Sequence, residues 1–288
     1  MKTILVTGST DGIGMATARA LYIRGHHVIV HGRDEERAKE SAQLIQSTPP
    51  SLENFRVDDQ LIDSSQFGQL TSVWGDLSVM DQVVELAKQV NALGALDVLI
   101  NNAGVYMNER VLSVDGFEMT FCVNHLAPFL LTHHLLPNLK SRANARIINL
   151  SSIAHGKGRI LFDDLNSEKR FDAYAAYAST KMMSVLFTRA LAAILKNTNV
   201  TANCLHPGVI STKLLKAGFN ISGDSVEKGA ETSVFLALEP ALQDKNGCYF
   251  VNCHLTMPSR FASDDKMALQ LWRKSEELLK PWLISKNP

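Results

Sequence analysis

Tyr177 and Lys181 stand four residues apart in the run Ala-Tyr-Ala-Ser-Thr-Lys, and on a helix that spacing puts both side chains on one face. A cation beside a phenol can turn an inert hydroxyl into an acid usable near neutral pH. An unperturbed tyrosine titrates near pKa ~10, and each pKa unit corresponds to about 1.4 kcal/mol. At an effective dielectric of about 20, one positive charge roughly 4 Å away supplies about 4 kcal/mol, enough for a shift of some three units. Two common residues at this spacing also make an ordinary solvated helix face, so the pair gains meaning only from what positions it.

The elements around it alternate. Short β-branched runs at Thr3–Thr7, His27–His31, Leu70–Gly75, Leu96–Ile100, Arg146–Leu150, Val200–Cys204 and Cys248–Val251 are separated by helical patterns at Gly12–Arg24, Asp34–Gln46, Val79–Asn91, Asp115–Leu139, Ala173–Lys196 and Val226–Leu238. This order predicts an α/β fold: a single-domain, Rossmann-type doubly wound parallel sheet of about seven strands with helices on both faces. The polar stretch Ser47–Gln69, with Pro49-Pro50, is too long for an ordinary connection and is expected as a surface insertion. Apolar residues from Met267 to Leu279 recur at helical spacing around Trp272. That helix is expected to cover the core or a subunit contact.

The first strand runs into Thr7-Gly8-Ser9-Thr10-Asp11-Gly12-Ile13-Gly14 and then at once into a helix. Strand, glycine-rich turn and helix together form a cradle for a pyrophosphate, with Gly8 turning the chain, Gly12 admitting the anion to the backbone and Gly14 letting helix and strand close. The second strand ends Val30-His31-Gly32-Arg33-Asp34. Gly32 stands where a carboxylate for the ribose 2′-hydroxyl would be sought, and the Arg33 guanidinium that follows suits a 2′-phosphate. The expected cofactor is therefore NADP(H). Two alternatives stay open: Arg33 as a solvated residue opening a helix, and Asp34 or Glu35 turning inward.

The 288 residues carry 29 basic and 29 acidic side chains, for zero formal charge, and no basic cluster is long enough to follow a phosphate backbone, so no nucleic-acid partner is expected. The scattered Cys122, Cys204, Cys248 and Cys253 suit reduced thiols in a reducing compartment. The opening Met-Lys-Thr-Ile-Leu-Val-Thr-Gly is already strand and turn. A cytoplasmic protein with no signal peptide or membrane anchor is the expectation, and the sequons at Asn199 and Asn220 are read as without meaning. His125, His133, His134, His155 and His206 lie in different elements without ligand spacing, so no metal is expected and packing or surface roles are assigned to them.

With the glycine turn and the Tyr177/Lys181 pair, the chain resembles the short-chain dehydrogenase/reductase family. Further matches follow in order: Asp76 in Trp-Gly-Asp-Leu, Asn101-Asn102-Ala103-Gly104, Asn124 in Val-Asn-His-Leu, Ser151-Ser152, and Pro207-Gly208-Val209-Ile210-Ser211-Thr212. Tyr177 follows Ser152 by 25 residues, a long gap. Its filling, His155-Gly156-Lys157 and then Phe162 to Arg170, resembles the retinol dehydrogenase-like branch, as do Asn124–Thr132 and Gly247-Cys248-Tyr249-Phe250. The hydrophobic N-terminal anchor of many members of that branch is missing here, which puts retinoids in doubt as substrates.

The resemblance implies that Asp76 and Leu77 lie by the adenine, that Asn102, Ala103 and Gly104 support the ribose side, that Pro207, Gly208 and Val209 flank the nicotinamide, and that Thr212 meets the pyrophosphate or carboxamide. Asp76 as a helix cap and Asn101-Asn102 as a turn former are the competing structural readings. It further implies a reaction. Tyr177 would give a proton to a carbonyl oxygen, Ser152 would hold the developing oxyanion, Lys181 would charge the phenol and bind ribose hydroxyls, and Asn124 would hold a relay water, unless Asn124 merely bonds a neighbouring turn. The expected activity is hydride transfer between NADP(H) and the carbonyl or alcohol of a small apolar substrate, held by a loop at 212–226. A dinucleotide-sensing binding protein and a reductase of a ring double bond are the alternatives. A homo-oligomer is left open, since relatives often associate through the helices carrying Asn124 and Tyr177.

Overall fold

The structure is a computed structural model that describes residues 1–47, 56–57, 60–61, 66–219 and 221–284. Strands β1 (Thr3–Val6), β2 (His27–Gly32), β5 (Gln69–Trp74), β6 (Val98–Asn101), β7 (Ala145–Leu150), β8 (Val200–His206), β9 (Tyr249–Val251) and β10 (His254–Thr256) form one sheet of eight strands, in the order β10-β9-β8-β7-β6-β1-β2-β5. Every neighbouring pair runs parallel except β9 and β10. Most of the 47–69 segment lies outside the described residues. Within it, β3 (Arg56–Val57) and β4 (Gln60–Leu61) pair as a separate antiparallel ladder.

Alternate side chains of the central strands feed two cores, as a sheet covered on both faces requires. Leu5, Leu99, Ile147 and Ala202 point to one core, shared with α3 (Met80–Ala92), α5 (Ala127–Lys140), α6 (Ala173–Ile194) and α9 (Asp265–Leu283). Ile4, Val6, Ile100, Ile148 and Leu205 point to the other, beneath α1 (Gly12–Tyr22), α2 (Glu35–Ser47) and α8 (Val226–Leu238). Burying these chains provides the drive for the fold at roughly 1.5–3 kcal/mol each.

Three differences from the expected elements have local causes. β10 was not foreseen. Asn252 and Cys253 both take positive φ, 48° and 64°, between Val251 and its partner His254, so the strand returns through a two-residue hairpin lacking the Asn-Gly signature such turns favour. The long helix expected from Asp115 begins later, as α4 (Met119–Phe121). Residues Ser113–Phe117 instead close a turn through Gly116 at φ 82°, and the Glu118 carboxylate caps the helix by accepting from the Thr120 and Phe121 amides. The same helix then passes through a π turn, Cys122–Leu126, before continuing as α5. A further short helix, α7 (Lys213–Phe219), lies inside the expected substrate loop and buries none of its residues fully.

α9 lies across α5 and α6. Trp272 sits 4.7 Å from Phe129 and 5.9 Å from Phe187, ring centre to centre, and buried His125 bonds Ser275 at 2.7 Å. The helix around Trp272 therefore covers the core, and it occupies a face of the helices through which relatives are expected to associate.

Candidate active site

Parallel strands leave their carboxyl ends on one edge, and the loops leaving β1, β2, β5, β6, β7 and β8 there surround a cleft of about 1210 Å³. The phosphate turn forms one end of it. Gly8 and Gly12 take φ of 61° and 55°, the left-handed region that favours glycine. A Cβ at Gly14 would stand 2.2 Å from the Gly8 carbonyl oxygen, so only glycine lets α1 close on the turn. Thr10, Asp11, Gly12, Ile13 and Gly14 all line the cleft. Asp11 caps α1 by accepting from the Gly12 amide and pairs with Lys213 at 2.6 Å. Ser9 does not line the cleft. It is fully buried, its hydroxyl donating to the Val6 carbonyl and accepting from the His31 amide, each at 2.8 Å.

His31 holds this end together. Its Nδ1 accepts from the Gly8 amide at 3.0 Å, and its Nε2 donates to the Gly75 carbonyl at 3.0 Å. Complete burial pushes its pKa down to about 4, so the ring is neutral and its tautomer is fixed by the two bonds. Nothing in the expected motifs marked it, although a histidine at the end of a buried strand beside a glycine turn is an unusual pairing.

Where β2 and β5 end, Arg33 is well exposed and its Nε lies 3.8 Å from Asp76 Oδ2. Asp76 Oδ1 accepts from the Ser78 amide and hydroxyl, so the carboxylate shapes the turn before α3 and also lines the cleft; it does not cap that helix, whose N-cap is Val79 with no side-chain bond. Arg37 lines the same wall, pairing with Asp34 at 3.3 Å. Sequence reasoning missed it. The available signal was its position one helical turn beyond Arg33 in the first turn of α2. A side chain on Gly32 would meet the Ala38 backbone nitrogen at 2.8 Å, which leaves no room for a carboxylate at that position. Leu77 also lines the cleft. Two guanidinium groups at the end of β2, a cradle of left-handed glycines and a helix N-terminus fit a phosphorylated dinucleotide.

The middle of the cleft is built by β6 and β7. Asn102 donates to the Thr7 and Gly8 carbonyls, which ties the loop after β6 to the phosphate turn, while Ala103 packs against Gly8. Gly104 lies beside Asn124 and Lys181. Pro207, Gly208, Val209 and Thr212 line the opposite wall, with Gly208 at φ 101°.

The other end carries Ser152, Tyr177 and Lys181, all lining the cleft. Ser152 caps the 3₁₀ turn Ile153–Lys157, its Oγ accepting from the Ala154 amide at 3.2 Å. Tyr177 and Lys181 lie one turn apart on α6 and are 7 % and 5 % exposed. Burial pushes the Tyr177 phenol up to about 12, against the pull of its hydrogen bond with Ser152. Burial likewise pushes Lys181 down to about 8, and its Nζ donates to the Leu150 carbonyl at 3.1 Å. The expectation that Lys181 alone would lower the phenol is therefore corrected for the free chain: desolvation of the phenolate dominates, and Lys181 is not among the groups that lower it.

Asn124 lies outside the cleft lining, in the π turn. Its Oδ1 accepts from the Val105 amide, and its Nδ2 donates to the Val105 carbonyl and the Thr180 hydroxyl. The turn-bonding reading describes its side chain, although Oδ1 retains a second lone pair. Aromatic rings border Tyr177: Tyr106 lies 5.5 Å from it and 5.3 Å from Phe219, centre to centre.

The remaining histidines are spread through the fold. Among the described residues, no group of three or more His, Cys, Asp or Glu side chains could hold a metal ion, and no helix is long and apolar enough to cross a membrane.

The family model for short chain dehydrogenases matches residues 2–220. The chain is 37% identical to short-chain dehydrogenase TIC 32 A, chloroplastic, of Brassica napus, over 96% of this chain and 88% of that protein. It is 38% identical to retinol dehydrogenase 13 of Homo sapiens, over 96% and 84%. Among solved structures, an uncharacterised protein from Mycobacterium Paratuberculosis shares the fold at a TM-score of 0.78 and 30% identity, covering 97% of this chain and 94% of that one. A 3-oxoacyl (acyl-carrier-protein) reductase from agrobacterium tumefaciens C58, solved with NADP bound, aligns at a TM-score of 0.66 and 23% identity, over 87% and 92%.

Proposed function

The chain belongs to the short-chain dehydrogenase/reductase family, with retinol dehydrogenases among its relatives, and from that premise we propose that it is an NADP(H)-dependent oxidoreductase acting on the carbonyl or alcohol group of a small, apolar substrate. The observation that carries the reading is the convergence of Ser152, Tyr177 and Lys181 at one end of a single cleft whose other end is the phosphate turn.

The bound nicotinamide would supply or accept the hydride. Gly8, Thr10 to Gly14 and Thr212 hold the pyrophosphate, Asp76 and Leu77 border the adenine, Asn102 to Gly104 support the ribose side, and Pro207 to Val209 flank the nicotinamide. Arg33, with Arg37 beside it, grips the 2′-phosphate and sets the preference for NADP(H) over NAD(H).

Tyr177 delivers a proton to the carbonyl oxygen. With its pKa raised to about 12 the phenol is fully protonated at neutral pH, the state needed by an acid in the reductive direction. The Ser152 hydroxyl donates to the substrate oxygen as charge develops there. Lys181, still mostly charged at pH 7 with a pKa of about 8, binds the ribose hydroxyls and stabilises the tyrosinate left after transfer. Asn124 Oδ1 accepts a hydrogen bond from a water on its free lone pair, and that water passes protons from solvent to Lys181. Leu214, Leu215, Phe219 and Ile221 line the cleft beside Tyr177 and form an apolar wall for the substrate. We assign the enzyme to the cytoplasm, a reducing compartment, on its four free cysteines.

The test is NADPH consumption across a panel of aldehydes and ketones of rising hydrophobicity, followed by the Ser152→Ala variant on the best substrate. Turnover with that substrate, lowered about a hundredfold in kcat by Ser152→Ala, is expected. NADPH binding without turnover on any carbonyl would instead identify a dinucleotide sensor.

A further inference from the structure

His155 lies directly behind Ser152, is 6 % exposed and does not line the cleft. We propose that His155 is a positioning residue for Ser152, its ring tying the loop that carries Ser152 to the C-terminal segment at Ser259. The inference rests on the role assigned above to Ser152.

The bonds run in one direction. The Ser152 carbonyl accepts from the His155 amide at 3.1 Å and from the His155 ring Nδ1 at 2.7 Å. On the far side of the ring, Nε2 accepts from the Ser259 amide at 3.0 Å. Because a backbone N–H can only donate, Nε2 is bare and the proton sits on Nδ1, which makes the bond to Ser152 a true donation. The Tyr249 ring packs against the imidazole at 4.9 Å, and its hydroxyl stands 3.5 Å from Nδ1, well beyond the 2.7 Å of the Ser152 bond. Burial lowers the pKa of the ring below its ordinary value, which keeps Nε2 free to accept.

The consequence for Ser152 follows from its place in the chain. Its Oγ caps a single 3₁₀ turn through Ala154, and short 3₁₀ turns have poor hydrogen-bond geometry of their own. Without the ring, the Ser152 carbonyl keeps only the amide bond of that turn, and the oxyanion donor is free to swing. Displacement by about 1 Å is enough to cost one or two orders of magnitude in rate. The long stretch between Ser152 and Tyr177 gives a second reason for an outside anchor. Asn166 within it is bonded to Glu118 and Gly116 rather than to Ser152.

Three substitutions separate positioning from packing. Asparagine places an amide where Nδ1 stands, glutamine places one where Nε2 stands, and alanine supplies neither. His155→Ala and His155→Gln are expected to lower kcat about tenfold with KM for NADPH unchanged, whereas His155→Asn stays within about threefold of the parent enzyme. Thermal unfolding and NADPH titration confirm that each variant is folded. If the alanine variant does not fold, the asparagine and glutamine pair carries the comparison. Equal rates for Asn and Gln variants, or an unchanged kcat in His155→Ala, would overturn the role. Independently of turnover, ¹⁵N NMR of the parent protein should show the Nδ1–H tautomer at neutral pH, and the Nε2–H tautomer would overturn the tie. A parent enzyme that reduces no carbonyl would refute the proposed function instead, leaving the tautomer to decide whether the tie exists.

Discussion

Lys181 Nζ lies over the face of the Tyr177 ring, 5.6 Å from its centre. A cation over the face of a ring interacts favourably with the neutral phenol as well as with the ionised one. This placement accounts for a lysine one turn away that does not lower the phenol, while burial raises it to about 12. The Tyr177→Phe variant keeps the ring and its packing and loses only the hydroxyl, with its proton and its bond to Ser152. Turnover should fall at least a hundredfold, with NADPH affinity within about twofold by fluorescence titration. Retention of most of the activity would remove Tyr177 from the chemistry.

Lys181→Met tests the cost of keeping a buried charge. The lysine titrates at about 8 folded against 10.5 in the reference state, so between these values the unfolded chain holds a proton that the folded chain has shed, and stability rises with pH. Below pH 8 the full cost applies, roughly 3 kcal/mol. Replacement by methionine should therefore abolish turnover yet stabilise the protein by about 3 kcal/mol at pH 7, falling to about 2 kcal/mol at pH 9 in denaturant titrations. A destabilised variant, or a gain that grows with pH, would contradict this account.

Arg33→Ala should raise KM for NADPH at least about tenfold and leave KM for NADH within about twofold, since a guanidinium gains most from a doubly charged phosphate. Arg37→Ala should act in the same sense but more weakly, its guanidinium being engaged with Asp34 at 3.3 Å. Steady-state kinetics with both cofactors decide the matter. Equal losses for the two cofactors would dissociate Arg33 from specificity.

Gly32→Asp is the change that would install a carboxylate for the ribose of NAD(H). Its Cβ would stand 2.8 Å from the Ala38 nitrogen and 3.1 Å from the Ala38 Cα, both backbone atoms at the start of α2. The expected outcome is a loss of about 1–3 kcal/mol from overpacking without any gain in NADH use. Improved NADH kinetics at unchanged stability would show that α2 can retreat.

The alternation of strands and helices was legible because the buried strands are near-continuous apolar runs, and the phosphate turn because glycine is required where φ is positive and where α1 approaches Gly8. Ser9 was misjudged for a physical reason: a turn residue was assumed to face the anion, whereas its hydroxyl is consumed by Val6 and His31. Asn124 shows the limit in a different way. Its motif identified a site residue, but only the fold reveals that both hydrogens of its amide are committed, to Val105 and Thr180. His31 acts through Gly8 and Gly75, neighbours distant in the chain, which spacing cannot express. β10 is exposed throughout, with no buried face to imprint a pattern.

The π turn at Cys122–Leu126 makes the length of its helix as significant as its composition. An α-helix advances by about 100° per residue, and a π turn accommodates one residue more than regular winding would. Deleting a single residue there would let the helix wind evenly, but it would also swing Asn124 about 100° away from Val105 or turn the apolar stripe of α5 off the sheet. Apolar exchanges in this segment should be absorbed by the core, whereas a change of one residue in length should not. The tolerated variation of this helix is therefore in what its residues are, and hardly at all in how many there are.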